Sequence, residues 1–389
     1  MNLKILIATG IFPPDIGGPA TIIKELQHSL EQRGHEVKIM TYADTGGWSG
    51  NVYRVRRRGA VWAQYFDYFW QLLRQSRRAD VIYATDIYSV GYFAYLAKIL
   101  LGKKYVIRFA GDSAWETAVG RGWTADYIVD FQRRTYGKKI EKLKNRRRKI
   151  LVKADRVVAV SNFLADVAGL IGVPKEKINV IYNSVDFAES VTADGAAVEA
   201  IKRRYKAGGK LLVTICRLTP WKGVDGIIRI LPQLNAALGP VSLLVLGDGS
   251  ELDKLQALAA DLRLEKNVNF LGRVPRAEVK NYLQASDLFV LNSNYEGFSH
   301  SILEAMQAGL PVVATNIGGN PEVIEQNVSG LLVDYNNGAQ LLAACSKILN
   351  DPALAQSLVL AGLRQIKKYS WQNVVCQTEA VLAAAAQKS

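Results

Sequence analysis

Residues 288–324 read LFVLNSNYEGFSHSILEAMQAGLPVVATNIGGNPEVI. The apolar run 288–291 has the length of a buried strand, the residues after Ser299 repeat apolar side chains at helical spacing, and 311–314 is a second β-branched run. Strand, helix and strand in that order form a crossover unit, which implies a parallel sheet. Glu296 lies in the turn before the helix, and Glu304 follows eight residues later inside it. The amides of Gly297, Phe298 and Ser299 open the helix, where N–H groups without intrahelical partners and the helix dipole favour an anion. Two carboxylates for hydroxyls, beside an amide cradle for phosphate, suit a sugar nucleotide. A further Gly-Gly turn at Gly318–Gly319 reads as another anion turn.

The same alternation runs through the chain. Strands are expected at 4–9, 36–42, 80–84, 104–109, 156–161 and 179–182, then at 210–216, 242–246, 268–271, 288–291, 311–314 and 330–333. Each half reads as a doubly wound sheet, so the fold class is α/β with two domains, as 389 residues lead one to expect. The expected bounds are 1–185 and 186–370, with 183–198 as linker. A last helix, within 371–389, lies beyond the second unit and is expected to cross back onto the first. Residues 115–153 lack strand character and read as a helical insertion on the surface.

Composition narrows the class. Hydrophobic residues make up 49% of the chain, and no run of 18 apolar residues occurs, so no segment is expected to span a membrane. The strand-like start without a basic and apolar leader points to the cytoplasm. Cys216, Cys345 and Cys376 have no metal spacing and are expected to be small buried side chains in a reducing compartment. The three histidines are scattered, so no zinc cluster is expected, and neither an Asp-x-Asp nor a Walker loop is present. His28 and His35 read as helix-surface and turn residues. The formal net charge is +14, and all of it falls in residues 1–185, which carry 30 Lys/Arg against 16 Asp/Glu. That half is expected to face something anionic: a membrane surface, a charged acceptor or nucleic acid.

Four more stretches bear on chemistry. The loop after the first strand, FPPDIGGPAT, pairs Gly17 with Gly18 before a helix that starts at Pro19; it allows close backbone approach but lacks a dinucleotide fingerprint. Arg217 and Lys222, in CRLTPWKG after the strand 210–216, sit where open α/β sheets bind ligands and suit a diphosphate. The turn Gly247-Asp248-Gly249-Ser250 reads as a routine strand-to-helix turn, with Ser250 as helix cap. Arg108, Asp112 and Glu116 follow the strand 104–109, either to hold or deprotonate a substrate hydroxyl or as an internal ion-pair set.

Together these motifs resemble the retaining sugar-nucleotide glycosyltransferases of family 4. The resemblance runs from FPPDIGGPAT through VSNFLAD, VIYNSVD, RLTPWKG and LGDGSELDKL to YEGFSHSILEAMQAGLPVVATNIGGNPEVI. It implies the GT-B fold, two Rossmann-like domains facing a central cleft. It also implies roles: Glu304 for the ribose hydroxyls, Glu296 for the transferred sugar, Arg217 and Lys222 for the diphosphate, Gly18 near the donor phosphates, and the backbone at Arg273 and Val274 for the base. Relatives often carry a histidine where this chain has Ala110-Gly111-Asp112, so that role passes to Asp112 or lapses. The implied reaction is metal-independent and retaining, from a nucleoside-diphosphate sugar to a glycan, glycolipid or lipid-linked hydroxyl, with no separate cofactor. UDP is the usual nucleotide, with GDP and ADP as alternatives. Another GT-B activity, an epimerase or phosphorylase, and a non-catalytic anionic-polymer binder are the rival readings. No nucleic-acid motif accompanies the basic residues, so nucleic acid is not an expected partner.

The basic clusters 54–58, 74–78 and 133–153 suggest peripheral attachment to the inner face of an anionic membrane. Between the first two lie Trp62, Tyr65, Phe66, Phe69 and Trp70, whose helical spacing predicts a core-facing stripe.

Overall fold

The computed structural model describes residues 2–15, 18–57, 60–185, 193–206 and 208–387. Gly17, Arg58 and part of the expected linker therefore lie outside the described residues. The chain divides into two compact units, Met1–Tyr182 with Trp371–Ser389, and Asn183–Ser370.

The first unit holds an eight-stranded sheet of β1 (Lys4–Ala8), β2 (Glu36–Ala43), β3 (Gly47–Ser49), β4 (Val52–Arg56), β5 (Val81–Ala84), β6 (Tyr105–Phe109), β7 (Arg156–Ala159) and β8 (Ile178–Val180), in the order β3-β4-β2-β1-β5-β6-β7-β8. Buried β-branched runs such as Ile5–Ile7 are covered by helices on both faces, as parallel strands require. The pair β3–β4 was not expected, and its antiparallel register makes the sheet mixed. Its sequence is exposed at Gly47–Ser49 and arginine-rich in β4, which blunts the sheet edge and hides the strand pattern.

The second unit holds β9 (Lys210–Ile215), β10 (Val241–Leu246), β11 (Val268–Gly272), β12 (Leu288–Leu291), β13 (Val312–Thr315) and β14 (Leu331–Val333), in the order β11-β10-β9-β12-β13-β14. Every neighbouring pair is parallel. After β9 the chain winds one way to β10 and β11, then returns to the other side of β9 with β12. The strand order therefore reverses between β9 and β12, which leaves a crevice at their C-terminal ends.

The helix Trp371–Ala386 completes the first unit. Val375, Val381, Leu382 and Ala385 join Leu3, Ile5 and Ile7 in one buried cluster. Its polar side is clasped as well: His35 Nε2 lies 2.9 Å from Glu379 Oε1, and Arg33 Nη1 donates to Glu379 Oε2 at 2.7 Å. The His35 Nδ1 accepts from the Leu3 amide at 3.1 Å, so its Nε2 carries the proton given to Glu379. His35 is thus a buried tie rather than a turn residue. Cys376, on the same helix, is exposed, whereas Cys345 is buried; the expectation of three buried thiols fails at that position.

Two further expectations are corrected here. The Val61–Ser76 helix buries Tyr68 and Leu72 but leaves Trp62, Phe66 and Trp70 facing solvent. Residues 115–153 form helices at Ser113–Gly120, Ile128–Arg133 and Lys138–Lys153, and the last buries Ile140, Arg147, Ile150 and Leu151. That helix is part of the packed domain, not a surface addition.

Candidate functional site

The crevice between β9 and β12 is built by four loops of the second unit that nest against one another. The Leu218 amide donates to Asp248 O at 3.0 Å, Asn294 N to Trp221 O at 2.7 Å, and Gly319 N to Glu296 O at 3.0 Å. This close nesting explains the glycines. Gly223 and Gly318 both have positive φ, and a Cβ would stand 2.0 Å from Asn292 O at the first and 2.2 Å from Glu296 O at the second. Gly318–Gly319 is therefore a backbone packing device that fixes the Glu296 turn from behind, and its Gly319 N–H is taken by protein; the anion-turn reading is corrected.

Lys222 follows β9 and Glu296 follows β12, so the strand-order reversal brings them together. Lys222 Nζ lies 2.6 Å from Glu296 Oε1, and the Ser293 hydroxyl donates to the same oxygen at 2.6 Å. Both donors converge on one carboxylate oxygen. Behind them Thr315 Oγ1 donates to Ser293 O at 2.6 Å, and Asn320 Nδ2 donates to Thr315 O at 3.1 Å. A buried polar chain thus supports the carboxylate. Beside it, burial pushes the Cys216 thiol up to about 11, so it stays a neutral wall.

Arg217 is exposed, and its guanidinium has no hydrogen bond or ion pair among the described residues. Thr219 Oγ1 is buried without a partner among those residues. An exposed unpaired fork, the Lys222 ammonium and an orphan hydroxyl thus lie within six residues, and such donors have the chemistry to meet an anion rich in acceptors. The sequence reading missed Thr219 and Ser293; the polar residues that interrupt an apolar strand end were the only available signal.

The helix His300–Gln307 begins beside this group. Ser299 caps it, its Oγ accepting from the Ile302 amide at 3.3 Å. Gly297 and Phe298 are buried in the turn, the Phe298 ring edge-on to Tyr369 at 5.1 Å. Glu304 lies 3.6 Å from Arg276 Nη2, and burial raises its carboxyl above the ordinary value while Arg276 opposes the rise. Arg273 is largely exposed, with Nε 3.6 Å from Asp248 Oδ2, and Val274 is half-buried. Ser250 does not cap the next helix, which starts at Leu252 after Glu251 without a side-chain cap.

In the first unit the strand order reverses between β1 and β5, and the loop carrying Gly18 follows β1. Helix Gly18–Gln32 starts there; Gly17 lies outside the described residues. Asp112 follows β6 and has no exposed surface. One carboxylate oxygen caps Ser113–Gly120 by accepting from the Ala114 amide at 3.0 Å. The other accepts from Gln132 Nε2 at 2.9 Å and from Arg147, which is itself buried. An acceptor hydroxyl cannot reach this carboxylate without breaking a buried ion pair. The expectation that Asp112 holds or deprotonates the acceptor is corrected, and Arg147 is the partner that sequence reading missed.

Among the described residues no three His, Cys, Asp or Glu side chains group as a metal site. No helix among them is long and apolar enough to cross a membrane.

Comparison with known proteins agrees with this layout. Residues 16–189 match the model for Glycosyltransferase Family 4, and residues 198–364 match that for Glycosyl transferases group 1. An uncharacterized glycosyltransferase of Methanocaldococcus jannaschii is 28% identical over 97% of both chains. The N-acetyl-alpha-D-glucosaminyl L-malate synthase of Bacillus anthracis is 26% identical over 98% of this chain and 97% of its own. The crystal structure of Anabaena HepE in complex with UDP and glucose superposes with a TM-score of 0.78 at 20% identity, covering 98% of this chain and 100% of the other. The fold is GT-B, two Rossmann-like domains whose sheets are parallel apart from the β3–β4 pair.

Proposed function

Since the chain belongs to the group 1 and family 4 glycosyl transferases and is a glycosyltransferase, we propose that it moves a sugar from a nucleoside-diphosphate sugar to a hydroxyl of a glycan, glycolipid or lipid-linked acceptor. The observation that carries the donor reading is the meeting of Lys222 with Glu296 at the β9–β12 crevice, beside the unpaired Arg217.

Glycosyl transfer builds positive charge on the sugar and negative charge on the leaving phosphate. Arg217 and Lys222 stabilise that phosphate without a metal, with the Thr219 hydroxyl as a further donor. Lys222 exchanges Glu296 for the diphosphate when the donor binds. Glu296, still held by Ser293, then accepts hydrogen bonds from the transferred sugar. Glu304 takes the ribose hydroxyls, and the backbone at Arg273 and Val274 meets the base. UDP is the proposed nucleotide, in keeping with the HepE complex, and GDP is the alternative. With Asp112 committed to Arg147, the acceptor proton passes to the leaving phosphate on the same face of the sugar, which retains anomeric configuration. The enzyme is proposed to act in the cytoplasm, attached peripherally to an anionic surface through its basic first domain.

The test is a donor-hydrolysis screen across nucleotide sugars with the wild type and Lys222→Ala. The reading expects one donor to be turned over and the variant to lose that turnover while still folded. Wild-type rates in the variant would remove the diphosphate role.

A further inference from the structure

A helix of a globular domain normally shows its core one apolar stripe and solvent a polar face. The Val61–Ser76 helix shows two apolar faces. Its inner side buries Tyr68 and Leu72; the Tyr68 ring stacks on Tyr42 at 4.6 Å and on Phe93 at 5.6 Å. Its outer side carries Trp62, Phe66 and Trp70, four residues apart and so on one stripe, with exposures of 76%, 65% and 59%. Val61 and Tyr65 add to the same exposed patch. An exposed apolar patch of this kind marks an interaction surface, so the outer side calls for a second apolar phase.

The surroundings say which phase. Exposed Arg74, Arg77 and Arg78 close the helix. It packs on the helix Tyr92–Leu101, which leaves Ile99 and Leu100 exposed and packs in turn on Lys138–Lys153. That third helix presents Lys142, Arg146, Lys149 and Lys153 to solvent at helical spacing, with Arg146 over the Tyr92 ring at 4.2 Å. An aromatic stripe rich in tryptophan beside a flank of one charge sign matches a lipid interface, where indole rings sit at headgroup depth and cations meet anionic phosphates. A protein interface depletes lysine and mixes charge signs.

We propose that the outward face of the Val61–Ser76 helix docks onto an anionic phospholipid bilayer, with Trp62, Phe66 and Trp70 inserted and the Lys138–Lys153 helix held over the headgroups. This deepens the peripheral-membrane part of the proposed function, and it is independent of the donor chemistry.

The test uses the whole chain, sedimented with vesicles of phosphatidylcholine alone or with roughly one-third phosphatidylglycerol. Wild type is expected to co-sediment with the anionic vesicles only, and less so as salt rises. Trp62→Ser/Phe66→Ser/Trp70→Ser is expected to lower partitioning about tenfold or more while melting and donor hydrolysis stay at wild-type levels, because the inner face is untouched. Lys142→Gln/Lys149→Gln is expected to flatten the salt dependence. Three results would each overturn the proposal: no vesicle binding by wild type, triple-variant binding equal to wild type, or a wild-type dimer in solution that the triple variant dissolves and that ignores vesicles. None of these touches the donor reading, which stands or falls on hydrolysis.

Discussion

Lys222 Nζ and Glu296 Oε1 lie 2.6 Å apart although 74 residues separate them in the chain. The sheet topology is the reason, because β9 and β12 are neighbours at the point where strand order reverses. Under the proposed function this ion pair opens on donor binding, Lys222 turning to the diphosphate and Glu296 to the sugar. Lys222→Ala is expected to lower turnover about 10²- to 10³-fold, the usual cost of one lost donor to a developing negative charge. Steady-state kinetics with an unchanged thermal melt is the check.

Ser293 and Lys222 share one oxygen of Glu296. Ser293→Ala leaves the carboxylate in place but free to turn. The expected result is a several-fold loss in kcat/KM, smaller than that of Glu296→Gln, read by comparing the two variants under identical donor concentrations.

Glu304 offers a pH handle. Burial raises its carboxyl above the ordinary glutamate value of 4.5, so it begins to take up a proton at a higher pH than a solvated glutamate does. If its charged form binds ribose hydroxyls, donor affinity falls as pH drops through that raised value. Glu304→Gln should bind weakly at all pH values and lose the acid-side slope. Donor titrations between neutral and mildly acidic pH decide this.

Asp112 and Arg147 give a stability prediction. Removing one member of a buried pair leaves the other charge uncompensated, so Asp112→Ala is expected to cost about 3–5 kcal/mol. Urea unfolding measures it. A large loss of stability would accompany any loss of activity, which separates this residue from Lys222.

The Glu379 carboxyl is lowered below its ordinary value, first by the His35 hydrogen bond and then by Arg33, against an opposing effect of burial. A depressed carboxylate stabilises the fold fully above its unfolded value of 4.5, and that contribution disappears as pH falls through the lower folded value. Glu379→Gln should therefore reduce stability at neutral pH by about 1 kcal/mol, with the difference vanishing in acid. Melting curves from pH 7 downward follow it.

Much of the fold was legible because buried parallel strands are short, wholly apolar runs, and β12, with Leu288–Leu291 all buried, is one. β4 was not, since Val52–Arg56, one strand in from the edge, buries only Val52 and Val55 and carries Arg54 and Arg56, so its hydrophobic pattern is diluted. At the site, Lys222 and Glu296 stood out by motif. The Asp112 partner did not, because Arg147 sits among three consecutive arginines of which only helix phase picks the buried one. Gly318 showed the opposite failure: the residue was noticed, but the carbonyl it must clear lies on a turn more than 20 positions upstream.

The clasp between His35 and Glu379 has a consequence for how the polypeptide matures. The helix that seals the N-terminal sheet is translated only after the entire intervening unit, so a nascent chain emerging from the ribosome holds Leu3, Ile5 and Ile7 under an incomplete cover. The intervening unit, contiguous in sequence, can reach its native state first, and the earlier-made sheet is locked afterwards. The polypeptide must therefore be made through Ala386 before the sheet it began with is fully covered.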